Sequence, residues 1–150
     1  MHVLIDAIND NAHVRGPDRY LLGLLEGLAT LDHDDHYTVV HAPWQAAFAD
    51  PGPDPRFSAI QTEPPRGRIG RVLWHATRFP ALVRRGDPDV VHLPNIIAVP
   101  RLGVPTVMTV HDLAHFRFPE KFGSIRGRIQ RILIRTAVRQ TDRSATAASE

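Results

Sequence analysis

The chain of 150 residues predicts an α/β domain built on a mostly parallel sheet. Three observations carry that expectation. Segments with strand patterning alternate with segments of helical periodicity. Three strands run straight into polar loops: His2–Asp6 into Asn9–Gly16, Asp89–His92 into Pro94-Asn95, and Thr106–Val110 into His111-Asp112. The composition, 43% hydrophobic and 23% charged, is that of a globular domain long enough to bury a core. In a parallel sheet the carboxyl ends of the strands open on one crevice, where ligands bind. These loops are therefore expected to form one wall of a cleft.

Each element follows from its pattern. The first strand is expected over about His2–Ala7. Leu21, Leu22, Leu24, Leu25, Leu28 and Ala29 recur at helical spacing and place a first helix over about Asp18–Leu31, with Asp18 as its N-cap. Asp32–Asp35 ends it. His36–Ala42 reads as a second strand, Pro51–Pro55 as a turn-rich break and Phe57–Thr62 as a weaker third strand. After a loop at Glu63–Gly67, Ile69, Val72, Leu73, Ala76, Phe79 and Val83 mark a second helix, bent or ended near Pro80. Asp89–Leu93 and Thr106–Val110 are short β-branched strands joined by a proline-containing loop, Pro94–Pro105. Ile125, Ile129, Ile132, Leu133, Ala137 and Val138 mark a third long helix. Ser144–Ala148 is a candidate last strand, though poor in β-formers.

The bulk numbers exclude several classes. The absence of cysteine rules out a disulfide framework and any thiolate metal site, and fits a reducing cytoplasm. The chain opens into Val3-Leu4-Ile5 without a signal-peptide pattern. No apolar run approaches the ~20 residues of a membrane-spanning helix. A net charge of +2 implies no nucleic-acid partner by itself. No Gly-x-Ser-x-Gly elbow or phosphate loop is present, and the nine histidines are scattered, so no metal site is expected.

Four places could carry chemistry. His111 ends a strand that should be central; a histidine there can donate to sugar hydroxyls or phosphate oxygens and can change charge near neutral pH. Asp112 either shares that role or caps the next turn. The loop Asn9–Gly16 brings backbone N–H groups to a helix start, an arrangement that suits anions, but an Asp18 N-cap would occupy those amides and repel a phosphate. His92 reads as a hydrogen-bonded core histidine or as a ligand contact, and Asn95 as a ligand contact or the origin of an Asx-turn. On the third helix, Arg131, Arg135, Arg139 and Arg143 repeat every four residues on one face. Such a face is either solvated or drawn to anionic lipid. No aromatic residues interleave there, which argues against single-stranded nucleic acid.

In order and spacing, the motifs resemble the amino-terminal domain of glycosyltransferase family 4, retaining transferases with two Rossmann-like domains (the GT-B fold). The resemblance rests on Leu4-Ile5-Asp6-Ala7, on Gly16-Pro17-Asp18-Arg19-Tyr20 at the start of the first helix, and on Leu73-Trp74 with Phe79-Pro80. It continues through Asp89-Val90-Val91-His92-Leu93-Pro94, Gly103-Val104-Pro105-Thr106, Thr109-Val110-His111-Asp112-Leu113, Phe118-Pro119-Glu120-Lys121-Phe122 and Ser149-Glu150. It covers nearly the whole chain. Pro17-Asp18 stands where the family has Ile-Gly. Ser144–Ala148 is less hydrophobic than the family's strand.

The resemblance implies a Rossmann-like, three-layer parallel sheet forming the amino-terminal, acceptor-side half of that fold. It implies a nucleotide-sugar donor, a glycan or lipid-linked acceptor, and no metal. Gly16 would lie near the donor diphosphate and His111 beside the reaction centre. Loops holding Asn95, Asp112 and His92 would shape the acceptor site. The family's second domain, which carries the nucleotide-sugar site, has no counterpart in these residues, so it is expected from a longer chain or a partner. The rival expectations are a non-catalytic binding subunit docked on a catalytic partner and an unrelated nucleotide-binding α/β domain. A cytoplasmic location, peripheral at the inner membrane face through Arg131, Arg135 and Arg139, completes the expectation.

Overall fold

A computed structural model describes residues 1–97 and 99–111 and the backbone of 143–146. Among these residues the order is β1 (His2–Asp6), α1 (Gly16–Ala29), β2 (His36–His41), β3 (Phe57–Gln61), α2 (Arg68–Thr77), α3 (Phe79–Gly86), β4 (Val90–Leu93), β5 (Thr106–Val110) and β6 (Arg143–Thr146), with a short 3-10 turn at Ala46–Phe48. The six strands form one sheet in the order β3-β2-β1-β4-β5-β6. Every neighbouring pair is parallel. This is the Rossmann-like sheet the alternation predicts. Arg143–Thr146 continues the ladder beside β5, with Val107 opposite Arg143, so Arg143 opens a strand instead of lying on the third helix, and weak strand propensity is overridden by an available sheet edge.

Both faces of β1 are covered, which is why its centre, Val3-Leu4-Ile5, is apolar without alternation. On one face Leu4, Val40, Val91, Leu93 and Met108 meet Trp74, Phe79 and Val83 of α2 and α3. On the other, Ile5, Tyr37, Val39 and Phe57 meet Leu21 and its neighbours on α1. Among the described residues no helix joins β4 to β5. The loop between them buries Ile97, Val99 and Leu102 against the first face instead.

α1 begins two residues earlier than its apolar stripe suggests. Pro17 stands in its first turn, where a missing N–H costs nothing. Asp18 is therefore not the N-cap. It sits in the first turn and reaches back, its Oδ2 accepting the Arg15 backbone N–H at 2.9 Å. At the other end, Arg56 donates to the carbonyls of Ala29, Leu31 and His33 and is held in place by Asp54. The second helix of the sequence reading is two helices meeting at Arg78. Pro80 has no N–H to continue the ladder of α2, so α3 starts afresh with Pro80 in its first turn. No helix among the described residues is long and apolar enough to cross a membrane.

Candidate functional site

The strand order reverses direction between β1 and β4: from β1 the chain winds outward to β2 and β3, then returns to β4. The carboxyl ends of β1 and β4 therefore part and leave a crevice. Asp6–Asn9, Leu93–Asn95, Val110-His111 and the start of α1 come to that end of the sheet.

His111 follows β5 directly. Its Nε2 lies 2.7 Å from the Pro94 carbonyl oxygen. A carbonyl only accepts, so Nε2 carries the hydrogen and Nδ1 is left for another partner. The Tyr20 ring from α1 meets the imidazole edge-on, centroids 4.8 Å apart at 77°. The ring is thus fixed from two sides, by the loop after β4 and by α1. Behind it, His92 Nε2 is 2.9 Å from Thr109 Oγ1, which is 3.4 Å from the Tyr20 hydroxyl. Burial, and secondarily the neighbouring His111 charge, pushes the His92 pKa down to about 4, against a weaker pull from Asp6. At neutral pH His92 is an uncharged part of this hydrogen-bonded row.

The loop after β1 is stapled to the start of α1. The Asn9 side-chain amide donates to Asp18 Oδ1 at 2.6 Å and to the Ala7 carbonyl at 3.3 Å, while its Oδ1 accepts the Asn11 N–H at 2.8 Å. Asn9 and Asp18 are both buried. Asp18 thus spends its charge inside the loop and takes the amide of Arg15 rather than those of the helix itself. Gly16 is exposed, and a Cβ placed there would meet nothing within 4 Å, so the start of α1 faces open space.

Deeper in the crevice the structure shows a set that the sequence reading missed. Asp6 Oδ2 lies 2.8 Å from Nε2 of His75, whose side chain is fully buried. The other ring nitrogen, Nδ1, lies 2.8 Å from the Arg71 carbonyl. Two acceptors on one ring require both nitrogens to carry hydrogen, so His75 is an imidazolium. Burial alone would lower its pKa; the Asp6 charge and hydrogen bond, with the Arg71 carbonyl, outweigh that and raise it. Arg71 reaches Asp10 Oδ2 at 3.1 Å, and Asp10 Oδ1 accepts the Gly67 N–H at 3.2 Å. This ties α2 and the loop before it to the loop after β1. Trp44 donates from Nε1 to the Asn9 carbonyl at 2.9 Å and carries Arg66 over its ring. The available signal was a carboxylate directly following the apolar run Val3-Leu4-Ile5, since a buried charge needs a partner. Its partner lay 69 residues away, beyond local pattern.

Of the residues singled out in the sequence, His111 and His92 are brought into one row through Thr109, and Asn95 directly follows the carbonyl that holds His111. Asn95 is half-buried, with no side-chain hydrogen bond among the described residues. Gly16 stands on the α1 side of the crevice. Asp112 and the arginines Arg131, Arg135 and Arg139 lie outside the described residues. Among the described residues no three His, Asp or Glu side chains converge as a metal site would.

The family model of glycosyltransferase family 4 matches residues 14–148, from the loop before α1 to just beyond β6. No curated protein matches the chain.

Proposed function

The chain belongs to glycosyltransferase family 4, and on that premise we propose that it forms the acceptor side of a sugar-transfer cleft. The donor, a nucleotide-sugar, is held by a second Rossmann-like domain, on the same chain or a partner. The acceptor is a glycan or lipid-linked hydroxyl. It attacks the anomeric carbon on the face from which the nucleoside diphosphate departs, so configuration is retained.

The observation that carries this reading is the fixed His111 ring at the carboxyl end of β5. With Nε2 spent on the Pro94 carbonyl and the ring braced by Tyr20, Nδ1 is the group left to meet a ligand. Protonated, it donates to a phosphate or sugar oxygen; neutral, it accepts from a hydroxyl. Either contact can strengthen as charge moves onto the departing diphosphate, which is how a preorganised donor accelerates transfer. Gly16, Asn95 and His92 border the same end of the sheet, and with Asp112, which follows His111 in the chain, they would form the surrounding binding surface.

The test uses an enzyme with both domains present. His111→Ala should lower kcat/KM by about 100-fold or more. His33→Ala, at the far end of β2, should leave it unchanged. Equal, small effects of the two substitutions would remove His111 from the reaction centre and overturn the proposal.

A further inference from the structure

The apolar stripe of α2 points the wrong way for a core. Ile69, Val72, Leu73 and Ala76 fall at i, i+3, i+4 and i+7, one face of a helix. That face is turned to solvent: Ile69 is 79% exposed, Leu73 59% and Val72 39%. The inward side carries Trp74 and His75, and Arg71 on its way to Asp10. Helices of water-soluble domains place the stripe inward, so this one is built to meet something apolar.

Charge says what kind of surface that is. Between Glu63 and Asp87 there are six arginines and no acidic residue. Arg71 is paired with Asp10. The side chains of Arg68, Arg78 and Arg85 are exposed and make no ion pair or hydrogen bond among the described residues. Beside the stripe a hollow of about 1000 Å³ runs between α2, α3 and the edge strand β3, bordered by Ile60, Ile69, Leu73, Arg78 and Arg85, with Glu63 as the one carboxylate in its lining. Aliphatic side chains ringed by unpaired arginines are the pattern of a helix lying in the interface of an anionic bilayer. A second copy fits poorly, because a two-fold contact through this face would bring the same arginines together. A single nucleic-acid strand fits poorly too, since the exposed centre is aliphatic and offers no ring for bases to stack on.

We propose that the outward face of α2 seats this domain on a bilayer containing anionic lipid, with Ile69 and Leu73 entering the acyl boundary and Arg68, Arg78 and Arg85 meeting the headgroups. The proposal is independent of the transfer reading and of the arginine face expected on the third helix.

Co-sedimentation of the full chain with phosphatidylglycerol and phosphatidylcholine vesicles tests it. The chain should bind the anionic vesicles at low salt and the zwitterionic ones at least about tenfold less tightly. Ile69→Gln with Leu73→Gln leaves the charge unchanged, lies on the surface and should weaken binding by about tenfold or more. Arg68→Gln, Arg78→Gln and Arg85→Gln together should weaken it similarly, with circular dichroism confirming that each variant is folded. The emission of Leu73→Trp should shift to the blue when anionic vesicles are added. Arg131→Gln, Arg135→Gln and Arg139→Gln should leave that shift in place. Unchanged binding by the Ile69/Leu73 variant would overturn the proposal, because charge alone would then explain adhesion. So would no vesicle binding by the wild type, or a concentration-dependent dimer that the Ile69/Leu73 changes abolish.

Discussion

His75 shows how one side chain can be fixed by its acceptors. With Asp6 on Nε2 and the Arg71 carbonyl on Nδ1, neither proton can leave without stranding an acceptor in the core. Asp6→Ala should therefore destabilise the domain by about 3–5 kcal/mol, the cost of leaving a buried charge unpaired; urea denaturation of the two proteins checks it. His75 and His92 also set opposite pH limits. The raised pKa of His75 means its contribution is complete below about 6.5, the unfolded value, and is lost as pH rises through the folded value. The lowered pKa of His92 means its contribution is complete above about 6.5 and is lost as pH falls toward 4. That acid limb is worth about 3 kcal/mol. Stability should thus peak near neutrality. His92→Gln, which cannot ionise, should flatten the acid limb and leave the alkaline one, as read from urea midpoints across pH; an unaltered acid limb would refute the assignment.

At the scale of elements, identical chemistry has opposite expected effects in α1 and α2. Gly23 and Gly27 lie within α1, and a Cβ at either would meet nothing within 4 Å. Gly23→Ala and Gly27→Ala should each stabilise the domain by about 0.5–1 kcal/mol, because alanine loses less backbone entropy on entering a helix. Gly70 lies in α2 against the loop before it, where a Cβ would stand 2.7 Å from Pro65 Cβ and 3.1 Å from its carbonyl oxygen. The ring and backbone of Pro65 cannot swing aside, so Gly70→Ala should destabilise by about 1–3 kcal/mol. Thermal melts of the three single variants separate the cases. The close approach at Gly70 belongs with the Asp10–Arg71 pair and the Asp10 bond to the Gly67 N–H, which together hold α2 to the crevice.

At the scale of the molecule, the proposed reading makes the described residues one wall of a transfer cleft. On the proposed reading, the donor-binding groups that hold both reactants in register belong to a second domain, and that positioning supplies much of the rate. Purified 1–150 should then transfer no sugar from any nucleotide-sugar, and adding a donor domain in trans should restore turnover; a radiolabelled-sugar assay reads both. Transfer by 1–150 alone would refute the division of labour. The architecture itself was legible in the chain. All five well-patterned strands were anticipated to within a residue or two, as were their parallel alternation with helices and the position of His111 at a strand's end.

What the sequence by itself determined is whatever depends on neighbours in the chain. The 3.6-residue and β-branched patterns specify which segments are helix or strand, and Pro80 specifies where the second helical run must break, because a missing N–H is a local fact. The order of short motifs likewise pointed to the family that the match over residues 14–148 establishes. Tertiary structure alone decided which side of a helix faces in and which charges meet. The stripe from Ile69 to Ala76 has the same period whether it meets a sheet or water. It faces out because the other side of α2 is committed to the core through Trp74 and to the crevice through Arg71 and His75. Asp18 likewise carries an N-cap signature, yet the Asn9 amide and the Arg15 N–H claim its two oxygens from within the folded loop. Asp6 and His75 are 69 residues apart and touch only once β1 and α2 are packed. A buried charge requires a partner, but local pattern cannot name it, because the partner is chosen by the packing of the whole chain.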